Sequence, residues 1–277
     1  IQGHDGMNHV TGFTGTFGGR CVKDVTAAEV ERFLDANIGA MSDQTRRNFH
    51  LVLSAFFAFC QGKRGKGKQT RQAYRVDNPM DSIAKPAVDR EMPGLLSVGQ
   101  SRALLNTAEA TEGRLGLLAY VALGLFCGVR STELEQLRWS DVQLSKGRVT
   151  IPAKIAKKRR IRNVVIPENA LTWLARAGGR AGDAPVAPPC LAERLRTLRA
   201  EAGIEEWPTN ALRHSFGSYL FALTEDSALV AARMGQRGDE VLFEHYRALV
   251  DKEQAEEFFR LVPETEAKVL PFNSAAR

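Results

Sequence analysis

The sequence predicts a mainly α protein of two domains with a small antiparallel β-sheet, and three patterns support this prediction. Apolar residues recur at three- and four-residue spacing in most segments, as they do along one face of a helix. Two short β-branched runs, at residues 148–151 and 163–166, are each closed by a proline and fit neighbouring strands. Turn-forming residues concentrate between positions 78 and 94 and separate two helical regions. We therefore expect a loose arm at residues 1–20, a helical domain at 21–90 and a larger domain at 91–277.

Composition indicates a globular protein. Hydrophobic residues make up 44% and charged residues 25% of the 277 positions, which excludes a disordered, collagen-like or disulfide-scaffold chain. Lysine and arginine outnumber aspartate and glutamate by 38 to 32, a net charge of +6. An excess of this size favours a polyanionic partner only where the basic residues cluster.

Cysteine spacing and apolar run length bear on the compartment. The four cysteines lie far apart and form no metal-ligand or disulfide pattern, so we expect buried thiols in a reducing compartment. The longest apolar run, residues 115–129, is shorter than the roughly 20 residues of a membrane span and fits a buried helix. No charged-then-apolar leader opens the sequence, so we expect no signal peptide and a cytoplasmic location.

The predicted N-terminal domain has two helices. Thr26 and Glu29 have the spacing of a capping box, which predicts a helix that begins just after Thr26. The apolar residues from Phe49 to Cys60 form one stripe at helical spacing, which predicts a second helix. The first 20 residues show no such period, hence the expected arm.

Basic residues cluster in two places. Residues 62–75 contain no acid and include six cations, Lys63, Arg64, Lys66, Lys68, Arg71 and Arg75. Such a run is either a solvated loop or a segment that tracks phosphates. The second cluster lies between the predicted strands and comprises Lys154, Lys157, Lys158, Arg159, Arg160 and Arg162. Cations this close repel one another unless an anion lies against them.

The predicted C-terminal domain is mostly helical. Segment 115–127 is apolar almost all round, which predicts a helix at the centre of a core, and Gly128 ends it. Further helices are expected at residues 95–108, 131–137, 211–223, 226–234 and 252–261.

Arginine, lysine and tyrosine occur here in a combination that suits phosphoryl chemistry. Arg130 follows the central helix and a glycine turn, so its guanidinium starts inside the protein, where an anion or Glu133 must balance its charge. Arg213 and His214 stand at the start of another apolar helix, and Tyr246 closes the segment LFEHY. Planar, permanently charged arginines match the equatorial oxygens of a phosphoryl group well.

The chain resembles the tyrosine recombinase or phage integrase family in four segments. These are GLFCGVRSTELEQLRWSDV at residues 124–142, the strand, lysine cluster and strand up to Pro167, NALRHSFGSYL at 210–220, and MGQRGDEVLFEHYRALV at 234–250. They occur in the family's order and at its spacing. The resemblance implies a helical core-binding domain that clamps DNA, followed by a catalytic domain.

The resemblance also implies roles for individual residues. Arg130 and Arg213 match the two catalytic arginines that clamp the scissile phosphate, and Glu133 matches the acid that supports the first of them. Tyr246 matches the nucleophile that forms a 3′-phosphotyrosyl link.

The hairpin lysines match the family's general acid. Lys157 best matches the lysine that protonates the departing 5′-oxygen, and Lys154 and Lys158 are close enough to compete for that role. The resemblance further implies that the basic run at residues 63–75 lies on DNA, and we expect the same of four hairpin cations, Lys154, Lys158, Arg159 and Arg160.

Two positions depart from the family's pattern. Asn210 stands where most members have His or Lys, and Gln236 where His or Trp usually follows the glycine, although the motif also resembles a bacterial branch with asparagine before A-L-R-H-S-F. An amide can donate to a phosphate oxygen but cannot act as a general base. His214 and His245 are either substitutes for that proton acceptor or structural hydrogen bonders.

The C-terminal helix around Phe258 and Phe259 has two interpretations. In the resembling family the corresponding element docks on a neighbouring subunit. The alternative is that it packs on its own domain.

The sequence therefore predicts a site-specific DNA recombinase of bacterial or phage origin, which acts in the cytoplasm at the nucleoid. By resemblance it needs no metal and no other cofactor, and it binds double-stranded DNA as a homo-tetramer on synapsed sites, with a monomer in solution allowed. Three alternatives stay open. They are a relaxase similar to type IB topoisomerases, a catalytically weakened or inactive DNA-binding member of the family, and a helical transcription factor whose arginines only contact phosphates.

Overall fold

The computed structural model describes residues 9–62, 73–88, 94–156, 159–177, 182–236 and 250–264. The chain forms two compact units, residues 1–91 and 92–277. Helices dominate both units, and a three-stranded antiparallel sheet belongs to the second. The predicted fold class, mainly α with a small antiparallel sheet, is confirmed.

The described part of the N-terminal unit is helical. Its helices are α1 (His9–Phe17), α2 (Ala27–Ile38) and α3 (Asp43–Cys60), followed by a short 3-10 helix at Pro79–Ser82. The capping box before α2 is confirmed, because the Thr26 hydroxyl accepts from the Glu29 N–H and the Glu29 carboxylate accepts from the Thr26 N–H. The apolar face of α3 buries Phe49, Leu53 and Phe57.

The prediction of a loose arm at residues 1–20 is wrong for the part that the structure describes. Helix α1 lies within it, and Phe13 and Phe17 are only 5% and 8% exposed. The Phe13 ring packs edge-on against Phe33 and Phe57, with centroids 5.5 and 5.8 Å apart. Glycine and threonine give this segment a low helix propensity, so the helix is stabilised by aromatic packing that local sequence does not reveal.

Arg75 belongs to the interior of the N-terminal unit. Its guanidinium donates to the backbone oxygens of Val22 (3.0 Å) and Val25 (3.1 Å) and to both carboxylate oxygens of Asp77, and it lies 5.0 Å from the Phe57 ring centre. The side chain is 4% exposed. We therefore withdraw Arg75 from the residues expected to contact DNA, because its guanidinium is buried and already bonded.

The C-terminal unit surrounds one buried helix. Its described helices are α4 (Val98–Ala110), α5 (Glu112–Leu115), α6 (Leu118–Cys127), α7 (Ser131–Leu134), α8 (Glu168–Arg176), α9 (Leu191–Glu201), α10 (Ala211–Thr224), α11 (Ser227–Met234) and α12 (Lys252–Phe259). Every residue of α6 is buried, and α6 packs against α4, α8 and α10. The predicted central helix is confirmed, although it begins at Leu118 and not at residue 115. No helix in the described ranges is both long and apolar enough to cross a membrane.

One face of the sheet is apolar and buried. Its strands are β1 (Val142–Gln143), β2 (Arg148–Ile151) and β3 (Arg162–Val165), in the order β1-β2-β3. Val149 pairs with Val164 and Ile151 with Arg162. Val149, Ile151 and Val164 are buried, so Arg162, two residues before Val164, starts on the buried face. The two-residue β1 is too short to be recognised by alternation.

Helix α12 packs on its own unit. The Phe258 ring stacks on Tyr219 with centroids 4.1 Å apart and lies 5.2 Å from Phe126 on α6. Just beyond the helix, the Leu261 backbone oxygen accepts a hydrogen bond from the Trp173 indole (3.0 Å). Of the two interpretations of this helix, the structure shows the packing within one chain.

Candidate active site

Arg130 lies where the central helix gives way to α7. Helix α6 ends at Gly128, whose left-handed backbone (φ 59°) favours glycine, and the Phe216 ring fills the space that a Cβ would need. The Arg130 guanidinium donates to Glu133 Oε1 (3.1 Å) and to the backbone oxygen of Gly235 (3.0 Å). Its side chain is 18% exposed. The guanidinium is thus held from two sides and remains partly open to solvent.

Arg213 reaches the same place from the first turn of α10. The residue is 7% exposed. Its Nη1 donates to the backbone oxygen of Gly128, and its Nη2 donates to that of Met234 at 2.7 Å. Met234 ends α11, and Gly235 follows it in left-handed backbone with φ 61°. Both arginines therefore bind the turn that ends α11.

Glu133 holds the cluster together. Its side chain is fully buried, and its carboxylate accepts from Arg130 and from Arg162, whose Nη1 and Nη2 reach Oε1 and Oε2 at 2.8 and 2.6 Å. Burial raises the pKa of this carboxyl, but the hydrogen bonds and charges of Arg162 and Arg130 outweigh burial and lower the pKa to about 2. Glu133 is therefore ionised at neutral pH.

Arg162 is a site residue that the motif analysis missed. It was placed only in the basic cluster of the hairpin. Its strand register carries only a partial signal, because side chains two residues apart in a strand share a face, but Val164 and Val165 are both apolar and lie on opposite faces. An arginine on a buried face requires a carboxylate or another anion, which here is Glu133.

The described part of the cluster contains three guanidinium groups and one carboxylate, those of Arg130, Arg162, Arg213 and Glu133. Guanidinium groups held in a partly buried place suit a planar anion with several oxygens, because they offer paired donors and permanent charge. The arrangement can bind a phosphate at the exposed part of Arg130. Among the described residues, no three His, Cys, Asp or Glu side chains lie close enough together to hold a metal ion.

The two amide residues flank this cluster. Asn210 precedes α10 in left-handed backbone (φ 56°), which asparagine tolerates better than most residues, and its side chain is exposed. Together with Arg213 it lines a cavity of about 580 Å³. Gln236 follows Gly235 directly and is also exposed. Asn210 therefore lies at the start of α10, the helix that carries Arg213. Gln236 lies next to Gly235, whose backbone oxygen accepts from Arg130.

The remaining residues predicted for the site are half-buried, exposed, or outside the described residues. His214 is half-buried in the first turn of α10. Three hairpin cations, Lys154, Arg159 and Arg160, are exposed. The other predicted residues lie outside the described residues: Tyr246, His245, Lys157, Lys158, Lys63, Arg64, Lys66, Lys68 and Arg71.

Gly235→Ala is expected to lower the free energy of unfolding by about 2 kcal/mol, from left-handed strain and from crowding, since an added Cβ would lie 2.8 Å from Cδ and Nε of Arg162. Gly203→Ala is the control, because Gly203 has a similar φ of 69° with nothing within 4 Å of an added Cβ. It should cost only about 1 kcal/mol. Urea unfolding by tryptophan fluorescence measures both, and equal losses would contradict close packing of Arg162 on this turn.

A family model described as the phage integrase family matches residues 95–253, more than half of the chain. The chain belongs to the phage integrase family. This confirms the resemblance seen in the motifs from residue 124 to residue 250. The interpretation of Asn210 as a replacement for the family's usual His or Lys stays a prediction.

Curated relatives of this phage integrase family member are bacterial tyrosine recombinases. XerC of Chromobacterium violaceum is 28% identical over 236 residues, which are 78% of this chain and 74% of that protein. XerC of Xylella fastidiosa (strain 9a5c) is 28% identical over 173 residues, 57% of each chain. The chain thus spans little more than half the length of several relatives, with 52% for XerC of Xanthomonas campestris pv. campestris (strain B100).

Solved structures share the fold. The XerH site-specific recombinase bound to palindromic difH substrate, in a post-cleavage complex, has a TM-score of 0.64 at 19% identity and covers 90% of this chain and 76% of its own. A lambda integrase(75–356) dimer bound to a COC′ core site has a TM-score of 0.59 at 14% identity, with coverages of 97% and 94%. At these identities the likeness supports the architecture of the phage integrase family and nothing finer.

Proposed function

We propose that this phage integrase family member is a site-specific DNA recombinase that cleaves and rejoins strands through a covalent 3′-phosphotyrosine. The observation that carries the proposal is the convergence of Arg130 and Arg213 on the turn at Met234 and Gly235, which precedes Tyr246 in the sequence. Two planar cations directed to one place suit a phosphodiester and the more highly charged transition state of its cleavage.

In the proposed reaction, the Tyr246 phenolic oxygen bonds to the scissile phosphorus while the bond from phosphorus to the 5′-oxygen breaks. The leaving 5′-oxygen takes a proton from Lys157, with Lys154 and Lys158 as its competitors, and this general acid contributes a factor of about 10² to 10⁴. The covalent phosphodiester conserves the energy of the broken bond, so a 5′-hydroxyl of another strand reseals it without a nucleotide cofactor.

The phenolic proton needs a different acceptor from the usual one, because the Asn210 amide can only donate to a phosphate oxygen or accept weakly through its carbonyl. The candidates are water, His214 and His245. Asn210 and Gln236 are proposed to donate hydrogen bonds to the phosphate.

The proposed substrate is duplex DNA, bound by a homo-tetramer on synapsed sites. Solved structures of the same fold support this, since they include a lambda integrase dimer bound to a COC′ core site and a lambda integrase tetramer bound to a Holliday junction. We propose that residues 21–90 act as a DNA-clamping domain and residues 91–277 as the catalytic domain. Exposed Lys154, Arg159 and Arg160 would contact DNA phosphates.

The bacterial origin of the relatives suggests action at the nucleoid of a bacterial cytoplasm.

A second candidate function is that of a DNA-binding member of the family without cleavage activity. The amides at Asn210 and Gln236 favour it, because neither can replace a catalytic acid or base. This candidate predicts salt-dependent DNA binding without covalent attachment.

Covalent trapping tests the proposal. The full chain selects its binding site from a randomised duplex pool, and a nicked version of the selected duplex then serves as a suicide substrate on a denaturing gel. We expect a slow-migrating adduct with the natural sequence and none with Tyr246→Phe. Tyr219→Phe is the matched control, because Tyr219 is a buried tyrosine of the same unit whose hydroxyl donates to the Leu96 backbone oxygen (3.1 Å), and loss of this hydroxyl should leave the adduct unchanged.

The other outcomes are distinct. Binding without an adduct would overturn the proposal in favour of the non-cleaving binder. An adduct that persists in Tyr246→Phe would mean another nucleophile. Relaxation of a supercoiled plasmid that lacks the selected site would point to a relaxase similar to type IB topoisomerases.

A further inference from the structure

Arg162 connects three elements of the C-terminal unit. It is the first residue of β3, and its two terminal nitrogens donate hydrogen bonds to the carboxylate of Glu133 on α7 at 2.8 and 2.6 Å. Cδ and Nε of Arg162 lie beside Gly235, just after α11, only 2.8 Å from the position that a Cβ on Gly235 would take. The side chain is only 18% exposed. A two-pronged pair of this kind fixes the orientation of both groups.

The Arg162 guanidinium faces Glu133 and not the exposed part of the site. Both terminal nitrogens donate to the carboxylate, and the remaining nitrogen, Nε, is buried without a hydrogen-bond partner among the described residues. This orientation argues against direct contact between Arg162 and a substrate. It favours an effect on the other arginine that Glu133 binds.

Glu133 can transmit that effect to Arg130. Its Oε1 accepts from the Arg130 guanidinium at 3.1 Å, and its Oε2 accepts from the Arg130 backbone N–H at 3.2 Å. Because Arg162 fixes both oxygens in one plane, it also fixes the direction from which the Arg130 guanidinium is held. Without Arg162 the carboxylate could rotate, and the guanidinium would follow it.

We propose that Arg162 is a positioning residue for strand cleavage, which orients the guanidinium of Arg130 through the shared carboxylate of Glu133. The inference rests on the proposed function, in which Arg130 contacts the scissile phosphate. Outer partners of metal ligands commonly change activity by about 10- to 100-fold, and we expect an effect of the same size here. Displacements of about 1 Å at a reacting group suffice for such losses.

Single-turnover adduct formation on the nicked duplex tests the role. Arg162→Met should slow it by about 10- to 100-fold, while affinity for the same intact duplex changes by less than about threefold, because no phosphate contact is removed. Arg162→Lys keeps the charge but loses the planar pair of donors, so its rate should lie between those of Arg162→Met and the natural sequence. A folded Arg162→Met variant with the natural rate would overturn the inference.

A double-mutant cycle separates positioning from direct contact. If Arg162 acts through Glu133, adding Arg162→Met to Glu133→Gln should slow the reaction by no more than about twofold beyond the slower single variant. Losses that multiply would mean an independent role and would overturn the inference. All rates are compared at a temperature where tryptophan fluorescence shows each variant folded.

Arg148→Lys is the matched control. Arg148 lies on the neighbouring strand β2, and its guanidinium donates to the neutral amide of Gln143 at 2.8 Å, so this change should keep the natural rate. The result with the natural sequence distinguishes failure of the proposed function from failure of the positioning role alone. No adduct with the natural sequence overturns the proposed function and the positioning role with it, whereas an adduct with independent losses overturns the positioning role alone.

Discussion

Arg213→Lys is expected to slow adduct formation by about 10²- to 10³-fold, the usual cost of removing one oriented donor from a transition state. The buried guanidinium of Arg213 donates to the backbone oxygens of Gly128 and Met234 at once. A lysine ammonium is a point charge and cannot reproduce this planar, two-pronged arrangement. The measurement is the single-turnover rate of adduct formation on the nicked duplex.

Arg194→Lys is the control for this change. Arg194 also donates to two backbone oxygens, those of Arg114 (3.0 Å) and Leu115 (2.8 Å), but it belongs to α9 and is not a residue of the arginine cluster. Its replacement should change the rate by less than about twofold. If the two variants react equally fast, Arg213 has no special part in cleavage.

Glu133→Gln is expected to lower the free energy of unfolding of the C-terminal unit by about 3 kcal/mol at neutral pH, because it leaves two arginines without their buried carboxylate. All three tryptophans lie in this unit, so their fluorescence during urea unfolding reports it separately. Glu201→Gln is the control. Its carboxylate also binds an arginine, Arg114, through two oxygens but is 39% exposed, so the loss should stay below about 1 kcal/mol.

The same carboxylate predicts a pH dependence. The pKa of Glu133 is about 2 in the folded chain against an ordinary value of 4.5, so its stabilising contribution is present above pH 4.5 and is lost as the pH falls toward 2. Glu133→Gln should therefore show a smaller loss of stability than the natural sequence over that interval. Parallel pH profiles of the two proteins would contradict the assignment of this carboxylate.

Local signals in the sequence predicted the parts of the fold that local interactions decide. The Thr26 capping box and the stop at Gly128 depend on neighbouring residues, and both occur as expected. Helix α1 was missed because it depends on Phe13 meeting rings from α2 and α3. Arg75 was misjudged because a run of basic residues does not show which of its members turns inward.

The site could be predicted from sequence only in part. The family motifs named Arg130, Arg213 and Glu133, and the structure brings these three together. The motifs could not indicate that both arginines bind backbone oxygens at the end of α11, because a backbone oxygen has no residue identity. Arg162 was hidden in a charge cluster, since the strand register that turns it inward became evident only once Val164 was seen to be buried.

The most direct test of the central claim is tandem mass spectrometry of the trapped adduct after digestion with nuclease and trypsin. The account predicts a nucleotide joined through its 3′-phosphate to Tyr246, in the peptide GDEVLFEHYR of residues 238–247. Attachment to any other side chain, or through a 5′-phosphate, would contradict it.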